Sequence, residues 1–108
     1  MKLIYCPIND AEIAERLARH LVKNGLAACV NIHGPVRSVF RWDGQVDIAE
    51  EVVMVIKVSD EALATCREAL IDQHPYDTPA IIVIDVNQDE SHQAFLDWVR
   101  DTKRSPDN

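Results

Sequence analysis

Four short segments of this chain are apolar in both directions, with no alternation of apolar and polar residues: Leu3-Ile4-Tyr5-Cys6, Leu26-Ala27-Ala28-Cys29-Val30, Val52-Val53-Met54-Val55-Ile56 and Ile81-Ile82-Val83-Ile84. Runs of this length bounded by turn residues read as strands covered on both faces. A sheet built from them needs two covers, and that requirement limits what the remaining residues can build.

The segments between these runs supply helices and one hairpin. The first strand spans residues 2 to 7 and is expected to stop at Pro7. Asn9 followed by Glu12 has the form of a capping box, and Ile13, Leu17 and Leu21 with Ala14, Ala18 and Val22 make an apolar stripe that ends at Asn24-Gly25. The second strand, Leu26 to Ile32, is interrupted at Gly34-Pro35 and resumes through Trp42. Over residues 36 to 42 one face carries Val36, Ser38, Phe40 and Trp42, the other Arg37, Val39 and Arg41. Asp43-Gly44 is a strong hairpin signal, so the chain is expected to fold back along Val46 to Val58.

Ser59 is placed to cap a second helix with Asp60 and Glu61 in its first turn and Ala62, Leu63, Cys66 and Leu70 inward, ending before His74-Pro75. Pro75 and Pro79 then hold His74, Tyr76, Asp77 and Thr78 in a defined loop, after which residues 80 to 86 form a strand expected to be buried on both sides. A helix of about 13 residues follows, with Phe95, Trp98, Val99 and Thr102 on one face.

The order β α β β α β plus a terminal helix is the ferredoxin-like, α+β arrangement, with a long hairpin and both connecting helices on one face of an antiparallel sheet. We expect a single domain over residues 1–103 and a frayed tail over 104–108. A C-terminal helix is roughly 10 Å wide and four strands span about 14 to 19 Å, so the helix alone does not cover the second face. A second copy of the chain does. The hairpin points the same way: its strand from Val46 to Val58 would reach about 43 Å if straight, against a radius of gyration near 13 Å for a domain of this size. A projecting arm carrying Phe40 and Trp42 is suited to clasping a neighbour, and Trp98 is expected at the same contact.

A net charge of −7 disfavours nucleic acid or an anionic membrane surface as partner, since both call for a basic stripe. No apolar run approaches the roughly 20 residues of a membrane span, and the apolar run after Lys2 ends at Pro7, too soon for a secretory signal, so a cytoplasmic location is expected. Cys6, Cys29 and Cys66 are odd in number and lack C-x-x-C spacing, which argues for reduced thiols and against a structural zinc site. Cys29 and Cys66 are expected to pack as small hydrophobes.

Three segments together resemble the CutA family of divalent-cation tolerance proteins: Gly25 to Asn31, then Ser38 through Phe40, Trp42 and Gly44 to Lys57, and His74-Pro75-Tyr76-Asp77-Thr78-Pro79. The resemblance implies a homotrimer of ferredoxin-like subunits whose sheets pack inward, similar to the P-II signalling proteins that bind small effectors in clefts between subunits. It implies tolerance of divalent metals and, in some members, copper binding, with no settled chemical reaction and no required cofactor. Cys6 and His74 match the copper-associated positions, and a thiolate with an imidazole suits copper or zinc. Relatives commonly carry Glu where this chain has Ala80, Pro where it has Asp85 and, in some, His where it has Gln73.

Two other uses of the polar loop stand beside the metal reading. Tyr76, Asp77 and Thr78 with Asp85 are candidates to line a small-molecule cleft at a subunit boundary, or to cap the turn and pack the interface. An enzyme built on His74 and Asp77 is the least favoured use, because no phosphate-cradling loop, dinucleotide fingerprint or nucleophile elbow is present. Asp43, Asp47, Glu50 and Glu51 form an acidic patch along the hairpin, expected to be solvated or paired with Arg37 and Arg41.

Overall fold

The computed structural model describes residues 1–101. The elements run β1 (Lys2–Ile8), α1 (Ala11–Lys23), β2 (Cys29–Trp42), β3 (Gln45–Val58), α2 (Leu63–Gln73), β4 (Ile82–Asp85) and α3 (Gln93–Asp101). The strands form one antiparallel sheet in the order β2-β3-β1-β4. This is the expected α+β topology. The tail expected over 104–108 lies outside the described residues.

Alternation along β1 and β3 separates the two faces of the sheet. Ile4, Cys6 and Ile8 of β1 and Met54, Ile56 and Val58 of β3 point to one side, where Leu17 and Leu21 of α1 and Cys66 and Leu70 of α2 close over them; all are buried. Each large aliphatic side chain removed from water here contributes about 1.5–3 kcal/mol. The opposite face carries Tyr5, Ile82 and Ile84, which the register places together, and they remain 39%, 51% and 43% exposed. The strand expected to be buried on both sides is thus an open edge within a single chain: β4 pairs with β1 at one end of the strand order, and all four of its residues are exposed.

Several boundaries differ from the sequence expectation. Pro7 does not stop β1, because the ladder to β4 has already ended at Tyr5 and the missing N–H of Pro7 falls on the unpaired side of the strand. The cap of α1 is Asp10, whose carboxylate accepts from the N–H groups of Glu12 at 2.9 Å and Ile13 at 3.1 Å; Asn9 lies one residue outside. Ser59 accepts from Ala62 N–H at 3.2 Å and so closes the turn before α2 rather than the helix itself. Val22 is exposed on the far side of α1. Helix α3 has 9 residues and buries Leu96 and Val99. Phe95 and Trp98, about 100° round the helix from that side, stack on each other at 5.6 Å and stay half-exposed. Thr102 lies outside the described residues.

The β2–β3 arm turns at Asp43 and Gly44, both with positive φ (50° and 76°), the conformation that suits a two-residue turn to right-twisted strands. A bulge lies between His33 and Val36, at the cis Gly34–Pro35 bond. Its extra residue reverses the alternation of β2. Val30 and Ile32 pair with Ile56 and Met54 and face the helices, whereas Val36, Ser38, Phe40 and Trp42 face the open side with Glu51 and Ala49. The tip projects, with Trp42 66% exposed. No ion pair joins Arg37 or Arg41 to Glu50 or Glu51 among the described residues, although Arg37 lies directly opposite Glu50.

At the bulge, Gly34 has φ 156° and a Cβ there would lie 2.8 Å from Val52 Cγ1 and 3.0 Å from Val52 Cα. Replacing Gly34 by Ala therefore displaces backbone. The expected result is a loss of about 1–3 kcal/mol in guanidinium unfolding, with the arm loosened before the helical face.

Candidate functional site

Helix α2 ends at His74, whose extended backbone (φ −70°, ψ 137°) leads the chain into Pro75 and back toward the open face of the sheet. The imidazole is buried and both of its nitrogens are engaged. Nδ1 accepts from the Tyr76 N–H at 3.1 Å, which leaves Nε2 protonated to donate to the Pro7 carbonyl at 3.0 Å. The Tyr76 ring meets His74 edge-on at 4.5 Å. Tyr76 Oη then donates to Glu51 Oε2 at 2.6 Å. His74 and Tyr76 together form a strut that ties the loop to the end of β1 and to the middle of β3. Burial, followed by the bond to Glu51, holds the Tyr76 phenol above its usual pKa.

Beside this strut a cleft of about 550 Å³ opens between the loop and the hairpin arm. Phe40 and Trp42 of the arm and Pro7 and Ala80 line it, while Glu51, Tyr76, Asp77 and Thr78 bring polar groups to it. Tyr76, Asp77 and Thr78 are thus brought together as expected. Asp85 is not: within the chain it stands on β4, exposed and 2.8 Å from Lys2 Nζ, and their shared hydrogen bond raises the Lys2 pKa and lowers that of Asp85. Glu51, Phe40 and Trp42 were not expected here. A signal existed, since the two-residue turn sets position 36 against position 51 and so places Glu51 on the face of Phe40 and Trp42.

The candidate metal ligands sit differently. Cys6 points into the helical core beside Met54, fully buried. Burial, reinforced by the charges of Glu51 and Cys66, pushes its thiol up to about 12. Burial also lifts Cys66 to about 11. A thiol held protonated is a poor ligand and a poor nucleophile. His74 has both ring nitrogens committed to the backbone, and among the described residues no group of three or more His, Cys, Asp or Glu side chains gathers to hold a metal ion.

Residues 2–102 match the family described as CutA1 divalent ion tolerance protein. The chain belongs to the CutA1 family. The divalent-cation tolerance protein CutA of Archaeoglobus fulgidus is 38% identical over 99 residues, spanning 92% of this chain and 94% of that protein. The solved structure of the Archaeoglobus fulgidus protein, described as periplasmic, matches with a TM-score of 0.87, 38% identity and coverage of 94% and 98%. The CutA1 structure from Thermus thermophilus superposes with a TM-score of 0.88 at 30% identity, covering 96% of this chain and all 100% of that one. The PII-like protein CutA from Nostoc sp. PCC 7120, in apo form, gives 0.90 at 33% identity, with 96% and 98% covered. The ferredoxin-like sheet with its three helices is therefore the CutA fold. No helix among the described residues is long and apolar enough to cross a membrane.

Two outcomes follow from this geometry. Replacing His74 by Ala leaves the Pro7 carbonyl and the Tyr76 N–H without their partner, and the expected loss is about 1–3 kcal/mol in chemical denaturation. The thiols give a pH signature. Their folded pKa values, about 12 and about 11, exceed the usual 9.0. The folded chain keeps protons that the unfolded chain releases, so this contribution is complete below pH 9.0 and disappears as pH climbs through 11 and 12. Unfolding free energies measured from pH 8 upward are expected to fall by up to about 1.4 kcal/mol per pH unit for each thiol, and alkylation of native protein at pH 8 is expected to reach Cys29 alone.

Proposed function

We propose that this CutA-family protein serves divalent-cation tolerance as a non-enzymatic homotrimer, a regulatory or scaffold protein whose small-molecule ligand sits in the cleft at Glu51 and Tyr76. The observation that carries the reading is the bare apolar face of the sheet, with the cleft opening onto it. Tyr5, Ile82 and Ile84 present a continuous surface that α1 and α2 leave untouched. Contiguous exposed apolar surface of this kind marks an interface. Phe40 and Trp42 on the arm and the stacked Phe95 and Trp98 on α3 add aromatic surface suited to contacts between copies. The number three follows the P-II-like architecture that the resemblance implies.

A copper or similar divalent ion held by Cys6 and His74 does not fit these residues. The one is a protonated thiol inside the core and the other an imidazole with no free nitrogen. The proposed function therefore runs through no ion at that pair. The absence of a third donor around them, among the described residues, supports the same reading, and the engagement of His74 supports a protein without catalysis at His74 and Asp77. The three unpaired thiols support a reducing compartment, here the cytoplasm.

Sedimentation of the purified protein tests the assembly. A species of three chains is expected, and Ile84→Asp, which places a charge on the open face without entering the helical core, is expected to reduce it to single folded subunits. A wild-type protein that stays monomeric at micromolar concentration would refute the trimer. Titration with Cu(II) and Zn(II) tests the rest: Cys6→Ser and His74→Ala are expected to leave any metal affinity unchanged, and a tenfold loss in either variant would restore the pair as a metal site.

A further inference from the structure

The cleft beside Tyr76 has an unusual combination of walls, and from it we infer the chemical class of its ligand: an organic cation, a substituted ammonium on an apolar body. The inference rests on the cleft reading given above and deepens it. At about 550 Å³ the cleft is within the range of small-molecule sites. Phe40, Trp42 and Pro7 supply apolar surface, Asn9 and Ser38 add neutral polar groups, and among the described residues the charged side chains that line it are Glu51 and Asp77, both acidic. No Lys, Arg or His among the described residues contributes to the lining. An anionic ligand would be stripped of water beside two like charges and meet no compensating donor of positive charge. A bare metal ion would find two carboxylates and otherwise neutral oxygens, with no group of three or more His, Cys, Asp or Glu side chains gathered to hold it among the described residues, and would desolvate against aromatic walls.

A substituted ammonium suits every feature. Its charge is weakly hydrated and spread over its carbon substituents, so it loses little on leaving water. The faces of Trp42 and Phe40 attract such a cation through their ring quadrupoles. Glu51 supplies the counter-charge, and its position is fixed: Tyr76 Oη donates to it at 2.6 Å, and the Tyr76 backbone is in turn held by His74. The negative group is therefore placed before any ligand arrives, which lowers the ordering cost of binding. The overall charge of −7 adds long-range attraction for cations.

Isothermal titration of the full chain with three probes that share a benzyl group tests this: benzyltrimethylammonium, benzyl alcohol and phenylmethanesulfonate. The cation is expected to bind once per chain and at least tenfold more tightly than the other two. Glu51→Gln keeps an acceptor for the Tyr76 hydroxyl while removing the charge, and is expected to weaken the cation at least tenfold. Trp42→Ala, which removes an aromatic wall, is expected to do the same; because Trp42 is also assigned to contacts between copies, sedimentation at the titration concentration gives the assembled fraction of each variant and affinity is read per assembled chain. If the alcohol or the sulfonate binds as tightly as the cation and is lost in Trp42→Ala, the charge inference is overturned while the cleft remains a ligand site. If no probe binds, or binding ignores both substitutions, the inference and the cleft reading fall together.

Discussion

The structure depends on a sheet that is apolar on both faces while its own helices cover only one. Ile4, Cys6, Met54 and Ile56 are sealed beneath α1 and α2, and this face supplies the hydrophobic stabilisation of the chain. Tyr5, Ile82 and Ile84, on the same strands or their direct neighbours, are left open. Strand alternation makes this unavoidable: a residue run without polar positions has an apolar second side whether or not anything lies over it. The open side is where the arm, the loop and the cleft are all found.

The polar elements on that side are organised by a few short bonds rather than by packing. His74 links α2 to β1 through the Pro7 carbonyl, and Tyr76 links the loop to β3 through Glu51. No buried side-chain nitrogen or oxygen among the described residues lacks a hydrogen-bond partner. A fully satisfied network in a partly desolvated site is rigid. This explains how a loop with Pro75 and Pro79 holds one wall of a cleft steady while the other wall stands on a projecting arm.

Topology was legible in the sequence because its signals were local and redundant. The 3.6-residue stripe of α1, the Asp43-Gly44 turn and the order of elements each pointed to the same arrangement, and the motifs around Gly25 and His74 carried the family. Individual boundaries were less legible where two residues could serve. Asn9 and Asp10 are both good caps by residue type, and it is Asp10 whose extended backbone and carboxylate meet the first turn of α1. Pro7 looked like a stop because whether a strand is paired on one side or both is a long-range fact. The cover expected over β4 is not met within one chain, since composition reports that a strand needs cover, not which chain provides it. In α3, the sequence groups Val99 with Phe95 and Trp98 on one face, but Val99 turns inward with Leu96 while the two rings stay half-exposed. The cleft was half legible: Tyr76, Asp77 and Thr78 follow from the loop, while Glu51 lies 25 positions away along the chain and joins them only through pairing of the hairpin. Cys6 and His74 carried the right element types for copper, but burial and hydrogen bonding, which decide whether a thiol or imidazole is available, are properties of the folded environment.

The bulge at Gly34–Pro35 settles a conflict between two ends of one strand. At its base, Val30 must look toward the helices to complete the core against Ile56; at its tip, the two-residue turn at Asp43 and Gly44 imposes a register that sends the even-numbered side chains the other way. Without the additional residue both demands cannot hold at once. Shortening β2 by one position would set interior packing against turn geometry, and the chain would have to sacrifice either a sealed interior or the aromatic palm that the arm holds over the loop. Loop length is commonly the most forgiving variable in a protein family; at this point in the strand, counting residues matters more than which residues they are.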